Sequence, residues 1–198
     1  MPPEIAGCSR EVLLGDPRSL LPHEVEIFVT RELRKAGLVP SAMKVRDRVE
    51  APGGGGDYIV ELGCSLRVGD GDPFVVIECR NASAPVTAAG VEALQTKVQQ
   101  AKAQHAMMFS TSGFDADAIR TARTLGIPLF AVADGKTAFA RSPWGMAGDP
   151  PAWVPEYMAE MVGLGPTGQP RSELLASGGA KRILDAFATA SPHDAKPA

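Results

Sequence analysis

The sequence predicts an α/β fold in which a mixed sheet is flanked by helices, in the order α-β-β-β-α-β-α-β. Three segments carry apolar residues at helical spacing, and five short segments carry strand patterns. Short turns join the first three strands, whereas predicted helices join the later ones. This order is typical of a mixed sheet with helices on both faces.

The three predicted helices differ in how clearly their ends are marked. The first begins near Pro22 and ends at Gly37, a residue that suits the left-handed conformation at a helix end. The second and third are indicated by apolar spacing at Val91, Leu94, Val98 and Ala101, and by the segment 116–125. We expect each helix to pack one apolar side on the sheet.

The five predicted strands are residues 42–49, 57–62, 74–80, 105–110 and 127–133. Segment 74–80 is the most informative, because its nearly continuous apolar run is typical of a strand that is buried on both faces. The run nevertheless ends in Glu78 and Arg80. We therefore expect these charges to emerge at an exposed end of a central strand.

The length of 198 residues favours one domain with an appendage. We predict a lead-in at 1–20, the α/β domain at 21–141, and a Pro- and Gly-rich linker at 142–198. Within this last region, short helices are expected near Tyr157 to Val162 and Glu173 to Phe187, followed by a disordered tail.

Charge and composition restrict the function classes. The net charge is −3, which is the wrong sign for a protein whose whole surface attracts nucleic acid, so DNA contacts must be local. Basic residues do outnumber acidic ones between positions 31 and 48. No apolar run approaches the roughly 20 residues of a membrane span, and no secretory signal is evident, so we expect a cytoplasmic protein. Three cysteines without a C-x-x-C pair disfavour a zinc site.

Asp57, Glu78 and Arg80 are the candidate site. Side chains alternate along a strand, so Glu78 and Arg80 share one face while Cys79 points to the other. Asp57 begins a neighbouring antiparallel strand, and a hairpin brings that beginning near the end of the next strand. Two carboxylates and a backbone carbonyl suit magnesium. The simpler interpretation is a cross-strand ion pair.

Four motifs carry a resemblance to a known family. They are the helix Glu26 to Gly37, the segment Gly55-Gly56-Asp57-Tyr58-Ile59-Val60, the strand Val76-Ile77-Glu78-Cys79-Arg80, and the segment Met108 to Phe114. With them the chain resembles the Mrr-type members of the PD-(D/E)xK nuclease superfamily, from roughly Glu24 to Val132. The resemblance implies a restriction-endonuclease-like fold.

The resemblance also implies an activity, namely a metal-dependent DNA endonuclease that hydrolyses phosphodiesters by metal-activated water. Asp57 and Glu78, with the backbone carbonyl of Cys79, would hold Mg²⁺ or Mn²⁺, and Arg80 would lie beside the phosphate. Glu26 would be an accessory acid and Gln95 a polar neighbour. Arg80 departs from the family pattern, which has lysine there, and arginine stabilises charge but does not accept a proton from water.

Two alternatives stand beside this hypothesis. The first, which follows from this departure and from the acidic composition, is a catalytically inactive nuclease-fold module that binds nucleic acid or a protein partner. The second is an assembly module in which the C-terminal helices mediate pairing, for example as a homodimer. DNA is the expected partner in the leading hypothesis.

Overall fold

The computed structural model describes residues 15–50, 56–67, 71–141 and 151–189. A short 3-10 helix at Pro17–Ser19 precedes the regular elements. Within the described residues there are five α-helices, α1 (Val25–Ala36), α2 (Ala88–Ala101), α3 (Ala116–Leu125), α4 (Gly135–Arg141) and α5 (Ala180–Thr189). The same ranges contain seven strands, β1 (Pro40–Glu50), β2 (Tyr58–Leu66), β3 (Phe74–Asn81), β4 (His105–Ser110), β5 (Leu129–Asp134), β6 (Tyr157–Leu164) and β7 (Pro170–Leu174).

The seven strands form one mixed sheet whose spatial order is the order of the sequence. The β3, β4 and β5 strands are parallel to one another, and the helices α2 and α3 connect them. The other neighbouring pairs are antiparallel. The predicted fold class and the predicted element order as far as β5 are confirmed.

Apolar side chains divide the core between the two faces of the sheet. One face packs against α1 and α5, through residues such as Phe28, Leu33 and Ile183. The other packs against α2 and α3, through residues such as Leu94 and Ile119. No helix within the described ranges is long and apolar enough to cross a membrane.

Strand β3 contributes to both faces, and this positions the candidate site. Val75, Ile77 and Cys79 belong to the core that α1 covers, whereas Val76 belongs to the core that α2 covers. Because side chains alternate along a strand, Glu78 is on the α2 side. The charged end of β3 is therefore covered by a helix.

The prediction of a helix near Tyr157 to Val162 is wrong, because this segment is strand β6. It pairs with β5 on one side and β7 on the other, and Met158 and Ala159 are buried. Strand pairing satisfies backbone groups along most of β6, and side chains of α1 contribute at its start, where Glu32 accepts from the Ala159 N–H and Arg31 donates to the Tyr157 carbonyl. The sheet thus continues past the predicted boundary at residue 141.

The predicted helix from Glu173 to Phe187 is confirmed only in its second half, as α5. Its first residues belong to β7, and α4 was not predicted. The predicted tail beyond residue 189, the glycines at 53–55 and the turn residues 69 and 70 lie outside the described residues.

Candidate active site

Glu78 is the centre of the candidate site, and it is fully buried, with 0% exposure. Its Oε1 accepts a hydrogen bond from Arg80 Nε at 2.6 Å, and its Oε2 accepts one from Lys97 Nζ at 2.6 Å. A buried carboxylate is tolerated only when such partners compensate its charge. The expectation that Glu78 lies at an exposed strand end is therefore wrong, because α2 covers it.

Glu61, on β2, lies directly opposite Glu78 in the antiparallel register and is only 8% exposed. Its Oε2 is 3.4 Å from Lys97 Nζ, and its Oε1 is 3.4 Å from Arg46 Nε. The ammonium of Lys97 thus contacts both carboxylates of a cross-strand pair. Like charges directly opposite each other are destabilising unless a cation separates them.

The charge of Lys97 depends on these two carboxylates. Burial disfavours the ammonium, but the hydrogen bond and the negative charge of Glu78, together with Glu61, outweigh it and raise the pKa of Lys97. Lys97 is therefore a cation at neutral pH. Its side chain keeps 34% exposure, so part of the side chain remains open to solvent.

Arg80 is held more firmly than Lys97. In addition to its bond with Glu78, its Nη2 donates to the carbonyl oxygen of Gly90 at 3.1 Å. A Cβ at position 90 would lie 2.6 Å from Arg80 Nη1, so only glycine leaves room for the guanidinium under α2. Glu78 and Arg80 are thus brought together as the sequence suggested.

Among the described residues, no hydrogen bond or ion pair joins Asp57 to Glu78. It precedes β2, and its Oδ2 accepts hydrogen bonds from the backbone N–H of Ser83 at 3.0 Å and from the Ser83 hydroxyl at 3.2 Å. The residue opposite Glu78 is Glu61, four positions further along β2. At about 3.3 Å per residue, Asp57 is displaced from Glu78 by roughly 13 Å along the strand.

The remaining predicted site residues occupy three different places. Glu26 lies in the first turn of α1, which packs on the opposite face of the sheet from Glu78. Gln95 is half-buried on α2, two residues before Lys97, and residues two apart on a helix do not face each other. The Cys79 side chain is a buried free thiol in the core that α1 covers, and burial raises its pKa. A role for the Cys79 carbonyl stays a prediction.

Sequence reasoning missed Glu61, Lys97 and Arg46. A signal existed for Lys97, because it adjoins the apolar stripe of Leu94 and Val98 on α2, and a lysine in such a position usually needs a carboxylate partner. For Glu61 the signal was an acid between the buried residues Val60 and Leu62. Within the described ranges, no group of three or more His, Cys, Asp or Glu side chains is placed to hold a metal ion.

Comparison with known families adds to this geometry. The family model of the Mrr catalytic domain, described as a restriction endonuclease, matches residues 17–136, more than half of the chain. The chain belongs to the Mrr restriction endonuclease family. The match contains every residue of the Mrr-type site described above and ends before β6, β7 and α5. Searches of curated proteins and of solved structures found no match.

Membership in the Mrr family makes this chain a nuclease-family protein, and restriction endonucleases act on DNA. The resemblance seen in the sequence is thereby confirmed. In this site, Arg80 contacts Glu78 from the same strand, and a second cation, Lys97, reaches Glu78 from α2.

Proposed function

We propose that this chain is a divalent-metal-dependent DNA endonuclease that acts in the cytoplasm, and that its site is centred on Glu78. One observation carries the proposal. Glu78 and Glu61 face each other across a buried strand pair and converge on a single cation, the ammonium of Lys97. Two converging carboxylates concentrate negative charge at one point, and such a point suits a divalent cation.

The donor set fits magnesium or manganese. Carboxylate oxygens are hard ligands, and Mg²⁺ is commonly held by one or two carboxylates, with waters and substrate phosphate completing its shell. Glu61 and Glu78 would hold the cation. The family resemblance instead implies Asp57 as the partner of Glu78, although Asp57 is displaced from Glu78 by roughly 13 Å along the strand. Bound there, the cation would polarise the phosphoryl group and make a nearby water more acidic.

The residues of the chain would supply positioning and charge. In hydrolysis, a water oxygen forms a bond to phosphorus, the ester P–O bond breaks, and the leaving oxygen takes up a proton. Negative charge accumulates on the phosphoryl oxygens, and cations fixed nearby stabilise it without reorganisation. Arg80 and Lys97 are the two cations that contact Glu78 and can serve this role.

DNA would be attracted locally, since the protein is acidic overall. Strand β1 lies at an edge of the sheet beside β2 and carries the exposed residues Lys44, Arg46 and Arg48. Arg46 links this edge to the site through Glu61. A basic edge next to a buried acidic pair can hold the phosphate backbone while the site engages one phosphate.

The direct test is cleavage of mixed DNA substrates with Mg²⁺ or Mn²⁺ at low salt, with a chelated control. Glu78→Gln should abolish metal-dependent cleavage, because it removes the central negative charge and preserves the shape of the side chain. The matched control is Glu160→Gln, which alters another buried glutamate of the sheet, three strands away on β6. Retained cleavage in Glu78→Gln contradicts the site assignment.

Two further variants identify the second carboxylate. Glu61→Gln should weaken manganese binding measured by calorimetry if Glu61 and Glu78 share the ion, whereas Asp57→Asn should do so if the family-derived assignment is right. The homodimer suggested by the sequence stays a prediction, and sedimentation of the full chain addresses it.

A catalytically inactive module that binds nucleic acid is the second candidate. It is favoured by the fact that both oxygens of Glu78 already have cationic partners, so a metal must displace one of them. Its expected result is DNA binding that is independent of metal, with neither cleavage nor calorimetric metal binding. Cleavage that requires metal and Glu78 excludes it.

A further inference from the structure

The two cations on Glu78 differ in their freedom to move, and this difference suggests separate roles. The guanidinium of Arg80 is fixed by Glu78, by the Gly90 carbonyl and by the tight space beside Gly90, and its side chain is 19% exposed. Moving it would break two hydrogen bonds beneath a helix. Arg80 therefore suits the task of holding Glu78 in one orientation.

Lys97 makes its contacts with the two glutamates through the ammonium at the end of its side chain. Its ammonium contacts Glu78 and Glu61, its side chain is 34% exposed, and its four-carbon stem is flexible. Rotation about that stem can carry the ammonium from the carboxylates toward a group that arrives from solvent. Lys97 therefore suits contact with an incoming substrate.

We propose that Lys97 is the cation that contacts the scissile phosphate, and that Arg80 is a positioning residue that holds Glu78. This inference rests on the proposed nuclease function. When a divalent cation neutralises Glu61 and Glu78, the ammonium of Lys97 loses its anionic partners, and a phosphate oxygen is the partner that the substrate offers. Lys97 thus stabilises charge on the phosphoryl oxygens, while Arg80 remains with Glu78.

The first measurement is the single-turnover rate of DNA cleavage in Mn²⁺. Lys97→Met should lower the rate about a hundredfold or more, the scale expected on loss of one charge-stabilising donor. Lys97→Arg, which keeps the charge, should recover most of it. The control Lys181→Met removes the same charge from an exposed position on α5, and its rate should equal that of the unaltered protein.

The second measurement does not depend on cleavage. Affinity for a DNA duplex is measured against salt concentration in Ca²⁺, on DNA verified as uncut, and again in chelator. In Ca²⁺, Lys97→Met should reduce the slope of log affinity against log salt by about 0.9, the value for one phosphate contact. In chelator the slope should not change, because Lys97 then stays with the two glutamates. Arg80→Lys should leave both slopes unchanged.

Several results would overturn the inference. It falls if Lys97→Met cleaves within about threefold of the unaltered protein, or if its slope in Ca²⁺ equals that of Lys181→Met. Should Lys97→Met not fold, Lys97→Gln replaces it, because the amide can still donate to Glu78 without the charge. If the unaltered protein does not cleave in Mg²⁺ or Mn²⁺, the nuclease function fails, and the Ca²⁺ slope alone then decides whether Lys97 contacts phosphate.

Discussion

Replacing Glu32 by alanine should lower the free energy of unfolding by about 3 kcal/mol, because this buried carboxylate joins α1 to the edge of β6. Glu32 is 1% exposed, and its Oε2 accepts a hydrogen bond from the backbone N–H of Ala159 at 2.9 Å. The same carboxylate pairs with Arg31 and Lys35. Alanine leaves the buried Ala159 N–H without this acceptor.

The magnitude follows from these contacts. An unsatisfied buried N–H costs about 1–3 kcal/mol, and a hydrogen bond to a charged acceptor is worth about 1.5–3 kcal/mol. The ion pairs add less, because the side chains of Arg31 and Lys35 are 43% and 26% exposed and can turn to water. Glu32→Gln keeps an acceptor for Ala159 and should lose only about 1 kcal/mol.

Urea unfolding monitored by circular dichroism measures these differences. The control is Glu92→Ala, which alters an exposed glutamate on α2 and should change stability by less than about 0.5 kcal/mol. For a chain of this size, 3 kcal/mol corresponds to roughly 6–12 °C in melting temperature. A loss below about 1 kcal/mol for Glu32→Ala would refute the tether between α1 and β6.

Three further perturbations follow from the structure. Gly90→Ala should lower cleavage, because the added Cβ would lie 2.6 Å from Arg80 Nη1 and displace the guanidinium from Glu78; unaltered single-turnover rates would contradict this. Deleting residues 142–198 should prevent folding, because it removes β6, β7 and α5 with the buried Ile183; a cooperatively melting fragment would show otherwise. Burial raises the pKa of Cys64 from 9.0 to about 11, so the neutral thiol favours the folded state, and its contribution to stability is lost as the pH rises between these two values. The urea midpoint of Cys64→Ala should therefore fall less steeply over this pH range than that of the unaltered protein, and an equally steep fall would contradict the argument.

The order of helices and strands from α1 to β5 could be predicted, because each element carries its own local pattern. Apolar spacing in α1 and the left-handed Gly37, at φ 96°, are short-range features that the sequence displays directly. The continuous apolar run of β3 likewise predicted a central strand. The prediction for the segment of β6 was wrong, because its strand conformation depends on pairing with β5 and β7, which no local sequence pattern indicates.

The candidate site could be predicted only where neighbours in sequence are neighbours in space. Glu78 and Arg80 lie two residues apart on one strand, so alternation was enough to join them. The link between Asp57 and Glu78 required the register of the β2–β3 pair, which the amino-acid sequence between the two strands does not fix. Tyr58 pairs with Asn81, so the start of β2 lies three residues beyond Glu78. Lys97 was missed because the position of helix α2 against β3 is set by tertiary packing, which the local sequence does not display.

The charge of the candidate site explains how a protein with a net negative charge could bind DNA, which is also negatively charged. Arg46, Lys97 and Arg80 meet Glu61 and Glu78 in one connected network, in which three cations face two carboxylates. The network is positive by one charge within a chain whose net charge is −3. Binding of a divalent cation would make it more positive, and a phosphate is the group that can balance the excess. Under the proposed function, a protein with an acidic overall charge would thus hold a phosphate locally, beside Lys97.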